Sequence, residues 1–262
     1  MRQDHLDGVQ GMYSWTTIRV FCLVLLLLPI AHLAWLTSRE ALIAMDHSPS
    51  AWEHEVAAYA RADRERRLPT DPVVVVGGRA VKLWQGLEQL LAPRPVLLRG
   101  LGAATVDDIN HYYEQLIGFY QPKSVVLLPG TSNFHVRDNK DPAELLQAVQ
   151  ELEAQDAAHG VTRNFYVFAP LKLPFYPGDH ERMAQSAVLL QSWAATRPRV
   201  TVLDPNPLLA DRTGAPAAQF FRPGGRHLNE HGYLRLGMLL REHIHRPPGQ
   251  ATEGETLASG IR

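Results

Sequence analysis

The chain has 262 residues, with 26 Lys and Arg against 27 Asp and Glu and 45% hydrophobic residues. That is long enough for one sizeable core, and it lacks the basic excess expected of a nucleic-acid binder. The single cysteine, Cys22, excludes an internal disulfide and a thiolate zinc cluster. The twelve histidines show no HExxH spacing and read as scattered surface residues, and nothing implies a metal or a cofactor.

The first element is apolar. Val20 to Leu36 reads VFCLVLLLLPIAHLAWL; at about 1.5 Å per residue this run, with Ile18 and its flanks, roughly spans the hydrocarbon layer of a bilayer. Tyr13 and Trp15 before it and Trp35 at its end suit the two interfaces. The segment reads as an uncleaved signal anchor over 18–37 behind a short tail, 1–17. A cleaved signal peptide competes, but its best site ends at Ala34 and puts His32 where a small residue is wanted. Charge codes orientation weakly, since Arg2 and Arg19 oppose Asp4 and Asp7. A short tail before a large C-terminal domain implies a single-pass protein with that domain outside the cytoplasm, periplasmic in a bacterium.

Residues 38–70 form a polar connector. SPSAWEHEVAAYARADRERRLP predicts one helix with Ser48 or Ser50 as N-cap and Pro69 as stop, its charges forming a solvated face. From 71 to 245 short apolar runs alternate with helical patterns. Strands are expected at 73–76, 95–98, 124–128, 165–169 and 200–204, each apolar on both faces, as buried parallel strands must be. Helices are expected at 80–91, 106–120, 142–158, 180–196 and 230–244. Asp141, Pro142 and Glu144 start the third of these, and Thr105 with Asp108 starts the second. The expected architecture is a three-layer α/β/α sandwich on a five-stranded parallel sheet, flavodoxin-like, preceded by one transmembrane helix. Ligands then bind where strands end: at Gly77, Gly78 and Arg79, at residues 99–104, and at residues 129–134. The tail 246–262 is rich in Pro, Gly, Ser and Thr and is predicted disordered.

VVGGRAVKLW, then LLRGLGAATVDDINHYYEQLIGFYQPKSVVLLPGTSN, then FFRPGGRHLNEHGYLRLGMLL resemble, in order and spacing, three blocks of the SGNH/GDSL hydrolases, nearest the platelet-activating-factor acetylhydrolase-like esterases. The resemblance covers about residues 70–244. It implies a serine nucleophile, a histidine base with an aspartate three residues before it, and glycine and asparagine donors to an oxyanion. Carried over, the serine position is Arg79, the glycine Ala103, the asparagine Ser132 and the aspartate Gly224. Of the catalytic set only His227 remains.

Arginine has no acceptor lone pair and stays protonated, so Arg79 closes the acyl-enzyme route. It also puts fixed positive charge beside a glycine turn and a helix start, where anions are favoured. The resemblance with these departures implies a non-catalytic domain binding a carboxylate, a phosphate or an acidic glycan from the cell envelope, with Arg79, Gly78, Ala103, Ser132, Asn133 and His227 around the ligand. Against it stand an Arg79 that merely pairs with a neighbouring acid, an esterase with a rearranged site using Thr131 or Ser132, and a structural scaffold in an envelope complex. Asp138, Asp179 and Asp204 are the acids that a rearranged site could recruit. HLNEHGY could equally persist for packing, with Asn229 capping the last helix and Gly232 allowing close approach. No protein partner is legible.

Overall fold

A computed structural model of the chain describes residues 15–45, 48–135 and 137–245. Most of the expected N-terminal tail and the tail from 246 lie outside the described residues. The chain divides into two compact units, Met1–Asp46 and His47–Arg262.

In the first unit α1 (Trp15–Met45) is one helix. Trp15–Ser38 within it is long and apolar enough to cross a membrane, and its apolar side chains are unburied. The Thr37 hydroxyl donates to the carbonyls of Leu33 and Ala34, which removes a free donor from an apolar surface.

The second unit is built on β1 (Val73–Gly77), β2 (Val96–Gly100), β3 (Ser124–Leu128), β4 (Asn164–Phe168) and β5 (Val200–Leu203). All pairings are parallel and the order is β2-β1-β3-β4-β5. Strand period two splits the apolar runs between two faces. Val73, Val75, Val126, Leu128, Tyr166 and Phe168 share a core with α10 (Glu230–His245) and with Trp84, Leu87 and Leu91. Val74, Val76, Val125, Leu127, Phe165 and Val167 turn to the other face and are fully buried. The helices α5 (Val106–His111), α7 (Pro142–His159) and α8 (His180–Ala194), which pack against one another, supply the third layer.

The expected helix 80–91 is two short helices, α3 (Arg79–Lys82) and α4 (Leu87–Leu91), because Gly86 between them takes a left-handed φ of +80°. The expected helix 106–120 is likewise broken, into α5, α6 (Tyr113–Leu116) and one 3-10 turn. Both sequence-read capping boxes form, Thr105 with Asp108 and Asp141 with Glu144.

The connector differs most from its sequence reading. A 3-10 turn, Pro49–Trp52, leads into α2 (Glu53–Arg64), and neither Ser48 nor Ser50 is the helix cap. Trp52 and Val56 are buried. The charges are not one solvated face: Asp63 pairs at 2.8 Å with Arg99, itself buried in β2, and accepts from the Tyr120 hydroxyl. A strand guanidinium removed from water needs a carboxylate, and the nearest part of the chain that can supply one is α2. Arg99, expected at the ligand-binding strand ends, is thereby committed to the connector.

Candidate functional site

The order of the sheet reverses between β1 and β3, and a cleft of about 320 Å³ opens at their carboxyl ends. Arg79 and Ala80 line it after β1, Ala103 after β2, residues 129–132 after β3, Leu171 and Leu173 after β4, and residues 226–228 before α10. His135, Tyr176 and Tyr233 complete the wall.

Each wall is held by identifiable contacts. Gly77 ends β1 because any side chain there would meet the Leu128 carbonyl at 2.3 Å. The chain then turns through Gly78 into α3, and Arg79 is its first residue, exposed on the rim. The Tyr233 hydroxyl, kept protonated by a burial that pushes its pKa up to about 12, donates to the Ala80 carbonyl at 2.9 Å. Glu55 of α2 accepts from Lys82 at 2.9 Å and from the Gly102 N–H at 3.1 Å, so one carboxylate ties α3 to the loop carrying Ala103. Tyr59 of the same helix donates to the Gly100 carbonyl at 2.7 Å.

Arg79, Ala103, Ser132 and His227 converge on this cleft. Gly78 does not line it, being packed beneath the Ala104 carbonyl and Gly130. Asn133 does not line it either: it is fully buried, its Oδ1 accepts from the Val106 N–H at 2.9 Å and its Nδ2 donates to the Gly130 carbonyl at 2.8 Å. The buried start of α5 leaves N–H groups that need acceptors, and Asn133 supplies one where the Thr105 box does not reach. Placing Asn133 around the ligand is therefore corrected; Ser132 occupies that wall.

His227 is half-buried, and its pKa is lowered, first by burial and then by the positive charges of Arg79, Arg222 and Arg226. Among the described residues no carboxylate contributes an opposing shift. Gly224 and Gly225 turn the chain at φ +88° and +67°, with open space around the first. The three aspartates that the sequence offers as acids for His227 are engaged elsewhere. Asp138 pairs with Lys140 at 2.6 Å, Asp179 with His135 and Arg182, and Asp204 with Asn206. Among the described residues Arg79 has no carboxylate partner either. The helix it starts has four residues, so the positive potential at the rim comes from guanidinium groups rather than from a helix dipole.

Sequence reasoning missed His135, Arg226, Tyr176, Leu171 and Leu173. His135 Nδ1 lies 2.8 Å from Asp179 Oδ2, and its ring packs against Tyr176 at 3.9 Å between centroids with the planes tilted by 42°. Arg226 lies over the Phe175 ring at 3.7 Å. Asp179 stands far from His135 in sequence, so no spacing motif could have joined them. No group of three or more metal-ligating side chains occurs among the described residues.

HLNEHGY has a structural explanation for each informative residue except His227. Leu228 is core, Asn229 Oδ1 accepts from the Gly232 N–H at 3.0 Å, and a Cβ on Gly232 would meet the Phe220 carbonyl at 2.4 Å.

No protein-family model matches the chain, and no curated protein matches it. Solved structures do. A proposed platelet activating factor from Streptococcus pneumonia superposes with a TM-score of 0.66 at 15% identity, covering 82% of this chain and 99% of that one. A GDSL-like lipase from Bacteroides thetaiotaomicron gives 0.61 at 14% identity, covering 72% and 96%. The lipase/acylhydrolase from Enterococcus faecalis gives 0.57 at 17% identity, covering 69% and 100%. At such identities the likeness speaks for architecture and leaves the chemistry to the residues present. The chain has the fold of the SGNH/GDSL hydrolases.

Proposed function

We propose that this is a membrane-anchored, extracytoplasmic domain of esterase fold that does not hydrolyse esters by the serine route and instead binds an anionic ligand in its cleft. The observation that carries the reading is Arg79: it lines the cleft and has no carboxylate partner among the described residues, and the family resemblance assigns the nucleophile to its position. Arg222 and Arg226 add positive charge near His227, and Ser132 offers a hydroxyl donor. The ligand group that such a set recognises is a carboxylate or phosphate, free or on an acidic glycan of the envelope. The apolar helix supports anchoring by its length and composition.

Isothermal titration of the full chain in detergent with inorganic phosphate and with glucuronate tests the reading. The wild type binds at least one of them and Arg79→Ala binds it at least about tenfold more weakly, the scale of one charge-assisted hydrogen bond. Indistinguishable binding by the two proteins would remove Arg79 from the role.

One observation favours a second reading. His135 and Asp179 form an oriented imidazole–carboxylate pair in the same cleft as the Ser132 hydroxyl, an arrangement that a rearranged esterase would use. Hydrolysis of p-nitrophenyl acetate that disappears in both Ser132→Ala and His135→Phe would establish it in place of the binding reading.

A further inference from the structure

The cleft of about 320 Å³ is near the lower end for ligand pockets and takes a group about the size of one sugar ring. A longer ligand has to leave it over the rim, and two chain segments of the rim continue into a neighbouring groove. Leu173 and Tyr176 line the cleft, whereas Pro174, Phe175 and Pro177 line the groove. Likewise Gly224 and Gly225 line the groove just before Arg226 and His227 line the cleft. The Phe175 N–H donates to the Gly225 carbonyl at 3.3 Å, so the two segments form one wall that cleft and groove share. Gly224 has open space where a Cβ would stand, and its missing side chain leaves the groove unobstructed.

The groove differs from the cleft in chemistry. Phe175 is 41% exposed, prolines flank it, and Arg222 is the single charged side chain of the lining. Such a surface has few rotamers to order when a ligand arrives. At the junction Arg226, which lines the cleft, lies 3.7 Å over the Phe175 ring, so a cation and an aromatic surface are held together there. The groove is open to solvent, and an alkyl chain laid in it would stay partly in water. One C–H face of a pyranose is an apolar patch ringed by hydroxyls. Against Phe175 and the prolines it buries that patch and keeps its hydroxyls hydrated. We infer that the groove is a second ligand subsite, which seats a neutral sugar linked to the anionic group in the cleft. The protein then recognises an acidic glycan longer than one residue rather than a free acid. This inference rests on the anion-binding reading of the cleft and adds to it a sugar contact outside the cleft.

The test is isothermal titration of the full chain, in a zwitterionic detergent, with matched ligands that differ by one neutral hexose. The carboxylate pair is methyl glucuronide against glucuronosyl-glucose, and the phosphate pair is glucose 6-phosphate against trehalose 6-phosphate. In the pair whose anion fits, the disaccharide binds about tenfold more tightly, the scale of withdrawing one sugar face and one aromatic face from water. Phe175→Ala brings that ratio toward one. Equal binding of both members by the wild type would overturn this inference while leaving the anion reading standing, and so would a ratio that survives in Phe175→Ala. Hexyl glucuronide binding more tightly than glucuronosyl-glucose would overturn it too, since the groove would then take an alkyl chain. Binding of none of the probes would overturn both readings. The wild-type comparison needs no substitution, so a poorly folding variant does not blunt it.

Discussion

Placing a serine at position 79 does not create an esterase. Arg79→Ser places a hydroxyl at the nucleophile position, in one cleft with His227. Among the described residues, however, the histidine has no carboxylate to fix its tautomer or stabilise its charged form, because Asp138, Asp179 and Asp204 hold Lys140, His135 and Asn206. Loss of the orienting acid costs about 10⁴ in rate in serine hydrolases. Ser132 in place of an asparagine donor costs a further 10²–10³ or so, the scale for one missing oxyanion donor. Together these remove about 8–10 kcal/mol of transition-state stabilisation at 1.36 kcal/mol per tenfold, so the variant stays near the uncatalysed rate. Adding Gly224→Asp does not repair it. That position has φ +88° and open space around its Cβ, so the new carboxylate projects into solvent at a backbone cost of roughly 1–2 kcal/mol. Initial rates of p-nitrophenyl acetate hydrolysis, for Arg79→Ser with and without His227→Ala, decide the matter. A rate at least about 10³ above wild type that collapses with His227→Ala would refute the reasoning, since some acid and donor would then have reached His227.

Asn133→Asp destabilises this protein by about 1–3 kcal/mol in chemical denaturation, because a carboxylate would face the Gly130 carbonyl that the amide now donates to. Glu55→Gln keeps an acceptor for the Gly102 N–H but breaks the ion pair with Lys82, whose side chain is 48% exposed; its cost in the same assay stays below about 1 kcal/mol. Gly102→Ala costs more, about 1–3 kcal/mol, because its Cβ would come within 2.7 Å of the Trp52 ring. Burial and three arginines lower the His227 pKa, so the unfolded chain takes up a proton near pH 6.5 that the folded chain accepts only at lower pH. The stability from this group is full above about pH 6.5 and is lost as pH falls through the folded value. Arg79→Ala shrinks that loss, read from denaturation midpoints between pH 8 and 5.

The layers of this fold were legible because its strands are buried on both faces. VVVV, SVVLL and FYVFA admit few other readings between helical stretches, and the Thr105 and Asp141 boxes mark helix starts by local chemistry. Helix breaks were less legible: Gly86 inside an apolar pattern looks tolerable until its φ is known. The connector misled for a different reason. Arg99 in a strand and Asp63 in a polar helix each look exposed alone, and only their proximity makes both inward-facing. At the site, block resemblance picked out Arg79, Ser132 and His227, which line one cleft, since it follows chain order onto strand ends. It could not separate Ser132 from Asn133, because which neighbour turns inward depends on the Val106 N–H, whose acceptor is Asn133 Oδ1. His135 with Asp179 is a long-range pair without a spacing, and only the folded chain brings it together.

The central claim is that Arg79 and His227 share an anion site, and the titration of His227 followed by NMR reads it most directly. In the free protein its midpoint lies below the ordinary histidine value, as burial and the arginines require. A saturating carboxylate ligand offsets that positive charge and raises the midpoint, and Arg79→Ala abolishes the response to ligand. A His227 midpoint that does not move when the ligand is added to wild-type protein would contradict the account.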